Sequence, residues 1–284
     1  MNPRWALKRA AKWSVEWASA ISGYGSAYRR SRSFVEGYRI LTYHKIADRP
    51  QDSFTVKTDH FRSHVAFLAD NHPVMALTDL VRRLAEGPPP ESGTVAVTFD
   101  DGYSEAATTI AEILDKKNLT ATFFIITGVL DNTIQFPGGP FLTWQNARQM
   151  SAAGFSIGSH TVSHRSLGEI SPEDVEEELT TSYRRITEEL GEPPKGLSYP
   201  YGTIRDFTEN VAKIAKSTGY EYAVTGLHGL NQMGCNPHTL RRTSLMAGDG
   251  LRTFRMILKG HLDPWRLVDE WGYYLQRWEI KRSS

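Results

Sequence analysis

Short apolar runs alternate along this chain with longer segments whose apolar residues recur at helical spacing. The runs at 94–99 and 121–126 predict buried strands, and the segments at 58–69 and 172–190 predict amphipathic helices. Strands regularly separated by helices predict parallel β–α–β units. Seven or eight such units in one domain favour a barrel over an open sheet, so we expect an α/β fold of the (β/α) barrel type.

The pattern divides the chain into a barrel with an extension at each end. We expect the barrel at 38–248, a basic amphipathic helix within 1–37, and aromatic-rich helices packing on the barrel at 249–284. In the first extension, Lys8, Arg9 and Lys12 lie opposite an apolar face. Two positions for that helix stay open, on a membrane interface or against the barrel.

Composition excludes several classes of protein. A formal net charge of +1 gives no sign of a polyanion partner, so nucleic acid is not expected. The single cysteine, Cys235, rules out an intrachain disulfide framework. No apolar run reaches the length of a membrane-spanning helix, and the N-terminal segment is a poor signal peptide. We therefore expect a monomer that is cytoplasmic or peripheral on the inner membrane face, rather than secreted or periplasmic.

Candidate chemistry begins where the apolar run at 95–99 stops on two adjacent carboxylates, Asp100 and Asp101. One interpretation is an ordinary Asp-Asp-Gly turn. The other is an active site, because the carboxyl ends of parallel strands are where such folds converge on a ligand. His160 and His164 follow another predicted strand at i, i+4 spacing and would share one face if that turn is helical. With Asp101 they make a set typical of a divalent transition-metal site.

The acidic pair then has two tasks. One carboxylate binds the ion, and the other is free to take a proton from water. A tetrahedral intermediate needs a backbone N–H as oxyanion donor, which the turn Tyr199-Pro-Tyr-Gly202 can present. A leaving amine needs an acid, for which a histidine at another strand end is the natural candidate.

Three motifs resemble those of a known family. Thr98-Phe-Asp-Asp-Gly102, Ser159-His-Thr-Val-Ser-His164 and Ser198-Tyr-Pro-Tyr-Gly202, in this order, are similar to the first three motifs of the NodB-type polysaccharide deacetylases, carbohydrate esterase family four. The resemblance covers roughly 39–245. It implies a distorted (β/α) barrel and hydrolysis of N-acetyl groups with zinc or a similar divalent ion. By motif, it implies a general base at Asp100, an oxyanion donor at the Tyr201 N–H, and metal ligands at Asp101, His160 and His164.

Two departures from the family pattern matter. Ser198 stands where many members have an arginine that tethers the base, a version closer to the poly-N-acetylglucosamine deacetylase branch. The late Leu-His-Asp motif that carries the general acid is absent. His44 is placed like the histidine that replaces it in the branch with a circularly permuted barrel, an arrangement that stays open here. We favour His44 over the alternative, His228.

The expected function is therefore a metal-dependent hydrolase that removes N-acetyl groups from amino sugars in a polysaccharide, an oligosaccharide or a lipid-linked glycan. Two alternatives stay open: a deformylase or amidase acting on a non-polysaccharide substrate, and a retired barrel that only binds carbohydrate. Around the metal, the residues expected to contact substrate are Tyr103, Trp144, Tyr199, Pro200 and Gly202, together with the ring of Tyr201.

Overall fold

A computed structural model describes residues 30–50 and 52–269, together with residues 14, 15, 18, 19 and 28. The predicted N-terminal amphipathic helix lies largely outside these residues. The aromatic end of the chain, 270–284, lies outside them as well. Both predictions therefore stay predictions.

Nine strands lie within the described residues. Seven of them form one parallel sheet in the order β8-β7-β6-β5-β4-β1-β9, and β2 pairs with β3 in a small separate sheet. The strands are β1 Arg39–Tyr43, β2 Lys45–Ile46, β3 Thr55–Val56, β4 Val95–Phe99, β5 Thr122–Ile125, β6 Ser156–Ser159, β7 Gly196–Ser198, β8 Tyr222–Val224 and β9 Thr243–Ser244.

The segment 240–245 closes this sheet into a barrel. At one end, the Leu240 N–H donates to the Ala223 carbonyl of β8 at 3.0 Å. At the other end, β9 pairs with β1, and the Leu245 N–H donates to the Thr42 carbonyl at 2.9 Å. One short segment thus contacts both edges of the sheet, and the predicted barrel is confirmed.

Helices connect the strands. Those of the described residues are α1 Arg32–Val35, α2 Thr58–Asn71, α3 Leu77–Glu86, α4 Thr109–Asp115, α5 Thr127–Leu130, α6 Trp144–Ala152, α7 Pro172–Leu190, α8 Glu209–Thr218 and α9 Leu251–Leu258. Caps follow local sequence chemistry: the Ser171 side chain accepts from the Asp174 N–H, and Gly191 ends α7 in the left-handed conformation. No helix in the described part of the chain is long and apolar enough to cross a membrane.

One predicted helix is wrong in part. The sequence predicts a continuous helix over 104–117, but the structure has a 3₁₀ turn at Ser104–Ala107, and α4 begins only at Thr109. Thr108 breaks the run with φ −122° and ψ −96°, outside the helical region.

The core consists of three apolar clusters set by strand alternation. Inward residues such as Ile40 and Ala96 pack with α3, whose Leu77 and Leu80 lie in the same cluster. Outward residues such as Leu41 pack against helices that include α2 and α9. A third cluster joins α7 and α8 to β7 and β8. Because the sheet is parallel, Tyr43, Phe99, Ser159 and Ser198 end their strands at one common edge.

Candidate active site

The adjacent carboxylates that follow β4 are both buried, with Asp100 3% and Asp101 7% exposed. The backbone conformation changes between these two residues. The Asp100 N–H continues the sheet by donating to the Tyr43 carbonyl at 3.0 Å, whereas Asp101 has a φ of 73°. A non-glycine residue in the left-handed region is uncommon and is frequent at functional sites. The turn gives the two carboxylates different surroundings.

Asp101 lies beside His160 and His164. Its Oδ1 is 3.4 Å from the Nε2 of His160 and 3.7 Å from that of His164. One ligand atom from each residue lies within 4.8 Å of the others, which makes this the one candidate metal cluster among the described residues. The His160 Nδ1 is 2.7 Å from the Ser198 carbonyl, so it carries the proton and leaves Nε2 free for a metal. These donors fit a divalent transition metal.

The two histidines are brought together by a loop, so the helical turn that was one way of placing them on a shared face is not needed. The loop takes its shape from two left-handed residues, Thr161 at φ 67° and His164 at φ 59°. Buried Glu178 of α7 accepts hydrogen bonds from the N–H groups of Val162 and Ser163, at 2.9 and 3.0 Å, and from the Ser163 hydroxyl. Glu178 therefore fixes the backbone between the two histidines.

Asp100 is held by a residue that the sequence did not reveal, Arg242. The guanidinium contacts both carboxylate oxygens, with Nη1 2.8 Å from Oδ1 and Nη2 2.6 Å from Oδ2. Nη2 also donates to the Ser198 hydroxyl at 3.0 Å, and that hydroxyl is 3.2 Å from Asp100 Oδ2. Ser198 and Arg242 together contact the acid from two different strand ends. The available signal was an arginine inside a strand-forming run, which needs a buried partner for its charge.

Electrostatics keep both carboxylates ionised. Burial by itself would raise the pKa of Asp100, but the charges of Arg242 and His160 outweigh it and hold that pKa far below its usual range. Burial opposes ionisation of Asp101 as well, yet its hydrogen bond to His160 and the nearby His44 give a net lowering of its pKa. Burial and repulsion from His160 lower the pKa of His164 to about 4, so its ring is neutral at neutral pH and can act as a ligand.

The turn after β7 presents a backbone N–H to the same edge. Tyr201 has a φ of 60°, and among the described residues its N–H has no hydrogen-bond acceptor. Gly202 allows the turn to pack closely, since a Cβ there would lie 2.2 Å from the Gly226 nitrogen. The unpaired N–H of Tyr201 has the chemistry of an oxyanion donor.

Comparison with known proteins agrees with this geometry. The family model described as "Polysaccharide deacetylase" matches residues 87–223, which contain Asp100, Asp101, His160, His164 and Tyr201. Over these residues the chain is similar to the polysaccharide deacetylases. Members of this family are hydrolases that act on carbon–nitrogen bonds other than peptide bonds.

Several relatives carry the similarity beyond the family model. YxkH of Bacillus subtilis, assigned to the polysaccharide deacetylases, is 27% identical over 74% of this chain and 71% of its own. A peptidoglycan-N-acetylglucosamine deacetylase of Bacillus cereus is 26% identical over 55% of this chain and 53% of its own. A chitooligosaccharide deacetylase of Bradyrhizobium is 29% identical over 45% of this chain and 54% of its own. The matches thus span about half the length of the last two relatives.

Solved structures show the same fold. The deacetylase PplD of Streptococcus pyogenes, in complex with acetate, superposes with a TM-score of 0.69 at 22% identity, covering 78% of this chain and 98% of that one. IcaB of Ammonifex degensii superposes with a TM-score of 0.68 at 20% identity, covering 80% and 97%. At these identities the likeness supports the barrel architecture of this chain and no more.

The two candidate acids of this site have different surroundings. His44 follows β1, lines the cavity that contains Asp100, and packs its ring 4.9 Å from that of Phe54. Among the described residues its Nδ1 has no hydrogen-bond partner. His228 also lines the cavity, but its Nε2 contacts Asp263 at 3.1 Å, and Asp263 is paired with Arg39 at 2.9 Å. In the described contacts His228 is therefore paired with a buried carboxylate, and His44 is not.

The candidate site opens into a cavity of about 820 Å³. Tyr103, Tyr199 and Tyr201 line it. Pro200 and Gly202 shape the turn and are not among the lining residues. The expectation that Trp144 contacts substrate is wrong: its Nε1 donates to Asp131 at 2.7 Å, Arg185 lies over its ring, and the residue is outside the cavity. Trp144 begins α6, which lies on the outer side of the sheet.

Proposed function

We propose that this chain is a metal-dependent N-deacetylase that hydrolyses N-acetyl groups of amino sugars of the N-acetylglucosamine type. The observation that carries the proposal is the division between two adjacent carboxylates. Asp101 lies with His160 and His164 in a metal-ligand cluster, whereas Asp100 is paired with Arg242. One acid is placed to hold an ion and the other to accept a proton.

Each residue has a task in amide hydrolysis. A divalent cation held by Asp101, His160 and His164 supplies Lewis acidity, which polarises a carbonyl and lowers the pKa of water. The donor set of two imidazoles and one carboxylate favours zinc. The ligand cluster is buried in a cavity whose rim is open, so a substrate amide has access to it.

The remaining steps belong to the protein's own groups. Ionised Asp100 accepts a proton from the attacking water, and Arg242 keeps its carboxylate in one orientation. The Tyr201 N–H donates to the oxyanion of the tetrahedral intermediate. His44 then protonates the leaving amine, so that acetate and a free amino sugar are released.

The sugar substrate is supported by the relatives. Two of them are a peptidoglycan-N-acetylglucosamine deacetylase and a chitooligosaccharide deacetylase, whose glycans both carry N-acetylglucosamine. We infer an acetylated polysaccharide, oligosaccharide or lipid-linked glycan of that type as the substrate of this chain.

Acetate release from N-acetylglucosamine oligomers tests the proposal. The purified chain should release acetate, lose the activity after treatment with a chelator, and recover it with zinc. Asp100→Asn should be inactive under all three conditions. If the wild type bound zinc stoichiometrically and released formate from N-formyl substrates but no acetate from any sugar, the N-deacetylase assignment would be wrong.

A further inference from the structure

The two histidines of the metal-ligand cluster are oriented in different ways. The His160 Nδ1 is 2.7 Å from the Ser198 carbonyl, which is the kind of hydrogen bond that usually orients a ligand histidine. The His164 Nε2 lies 3.7 Å from Asp101, and its buried Nδ1 has no hydrogen-bond partner among the described residues. Because the χ2 torsion of histidine has broad energy minima, the His164 ring needs another constraint to keep its orientation.

Aromatic rings surround the His164 imidazole where a hydrogen bond is lacking. The ring centroid of Phe136 lies 4.9 Å from that of His164, with 57° between the ring planes. Tyr201 packs on the same imidazole at 4.8 Å and 71°. Tyr201 is 65% exposed, whereas Phe136 is half-buried and lines the cavity. Phe136 is therefore the more enclosed of the two aromatic contacts.

Phe136 is presented by the loop between α5 and α6, and this loop is anchored to the strand ends around the site. The Lys45 ammonium, just after β1, donates to the Gly138 carbonyl. The Ser104 N–H, just after the acidic pair, donates to the Pro140 carbonyl at 3.0 Å. The residues on either side of Phe136 are exposed, so its ring is the part of this stretch that turns inward.

We propose that Phe136 is a positioning residue that holds the His164 imidazole in its metal-binding orientation, in place of a hydrogen bond at Nδ1. Packing against a ring on an anchored loop restricts the imidazole before it binds an ion, so less rotational freedom is lost on binding. The metal affinity of the site then depends on an apolar side chain that carries no ligand atom. This inference rests on the metal site of the proposed function and adds a determinant of its affinity.

Zinc affinity tests the inference without any measurement of turnover. Competition titration compares wild type, Phe136→Ala, Phe136→Tyr and, as matched control, Gln135→Ala, which changes an exposed neighbour on the same loop. We expect about 10-fold weaker zinc binding by Phe136→Ala, the scale on which groups that orient a ligand contribute. Phe136→Tyr keeps the ring, so it should bind zinc as the wild type does, and so should Gln135→Ala.

The visible absorption spectrum of the cobalt-loaded proteins gives a second measurement, because it reports the geometry of the ligands. The spectrum of Phe136→Ala should differ from that of the wild type, and the spectra of Phe136→Tyr and Gln135→Ala should match it. Urea unfolding of the metal-free proteins separates this effect from loss of structure. If metal-free Phe136→Ala is destabilised, Phe136→Leu replaces it: weaker zinc binding by that variant supports the inference, and wild-type affinity overturns it.

Failure of this inference is distinct from failure of the proposed function. Equal zinc affinities and equal cobalt spectra in wild type and Phe136→Ala would overturn the role of Phe136 and leave the proposed function intact. Weaker zinc binding by Phe136→Ala, with no acetate released by the zinc-loaded wild type, would support the role of Phe136 and overturn the N-deacetylase function. A wild type that bound neither zinc nor cobalt would overturn both.

Discussion

Arg242 contacts both carboxylate oxygens of Asp100, at 2.8 and 2.6 Å, although 142 residues separate them in the chain. The guanidinium comes from the segment that closes the barrel, and its Nε donates to the Thr225 carbonyl at 2.8 Å. The pair is buried and ionised, so each charge is stabilised by the opposite charge of its partner. The segment that closes the barrel therefore also supplies the guanidinium that orients the proposed base.

Removing the guanidinium should cost both activity and stability. Arg242→Met leaves Asp100 as an uncompensated buried charge, and we expect the free energy of unfolding to fall by about 3–5 kcal/mol. Arg242→Lys keeps the charge but loses the two-point contact, so kcat should fall at least about 10-fold with a smaller loss of stability. Arg241→Lys, whose guanidinium contacts the His228 carbonyl instead, is the control. Turnover of Arg242→Lys equal to that of the control would show that the two-point contact is dispensable.

Glu178 should control metal affinity from outside the ligand set. Glu178→Gln replaces a carboxylate that accepts three hydrogen bonds from the loop between His160 and His164. We expect about 10-fold weaker metal binding, because groups that orient ligands contribute on this scale. Glu177→Gln, an exposed neighbour on the same helix, should bind metal as the wild type does. Competition titration of zinc checks this, and equal affinities in the two variants would contradict it.

Substitution of His44 and substitution of His228 should affect turnover and stability differently. His44→Gln should lower kcat by about 100-fold or more while metal content and unfolding remain close to wild type, because its ring lines the cavity and its Nδ1 has no partner in the described residues. His228→Gln breaks the buried contact to Asp263, so it should lower the free energy of unfolding by about 1–3 kcal/mol with a smaller loss of kcat. Steady-state rates and urea unfolding of both variants measure this. The reverse pattern would assign the acid to His228.

Much of the fold follows from local sequence. The capping of α6 by Thr143 and of α7 by Ser171 was predictable because each cap depends on side chains within three residues. Closure of the barrel through 240–245 depends on pairing with strands far away in the chain, which no local pattern encodes. The pairing partners of this segment therefore came only from the structure.

The candidate site was predictable where residue type and position at a strand end sufficed. Asp101, His160 and His164 have the chemistry of a metal site, and the structure brings them together with Asp100 in the same cavity. Arg242 was missed because its role requires a partner from another strand. Trp144 was misassigned because an aromatic residue near a strand end has the same sequence pattern whether its ring faces the cavity or the outer helices.

Acid should destabilise the fold through His64, away from the active site. Burial, and repulsion from His60, lower the pKa of this ring to about 3, and it is stacked on Phe254 with 4.0 Å between ring centroids. The unfolded chain has an ordinary pKa near 6.5, so between about pH 6.5 and 3 it binds a proton that the folded chain does not. Stability therefore falls as pH falls through that window.

The matched variant for this effect is His64→Gln. From pH 7 to 5 the wild type should lose about 2 kcal/mol more of its unfolding free energy than His64→Gln, because the variant lacks the titrating ring. Urea unfolding at pH 7, 6 and 5 gives the comparison. Parallel pH curves for the two proteins would show that His64 is protonated equally in both states.

The most direct test of the central claim compares the two adjacent acids. Zinc content and acetate release from the N-acetylglucosamine hexamer are measured on wild type, Asp101→Asn and Asp100→Asn after the same purification. We expect one zinc per chain in wild type and in Asp100→Asn, little zinc in Asp101→Asn, and acetate release by the wild type alone. Equal loss of zinc in both variants would contradict the division of labour between Asp100 and Asp101.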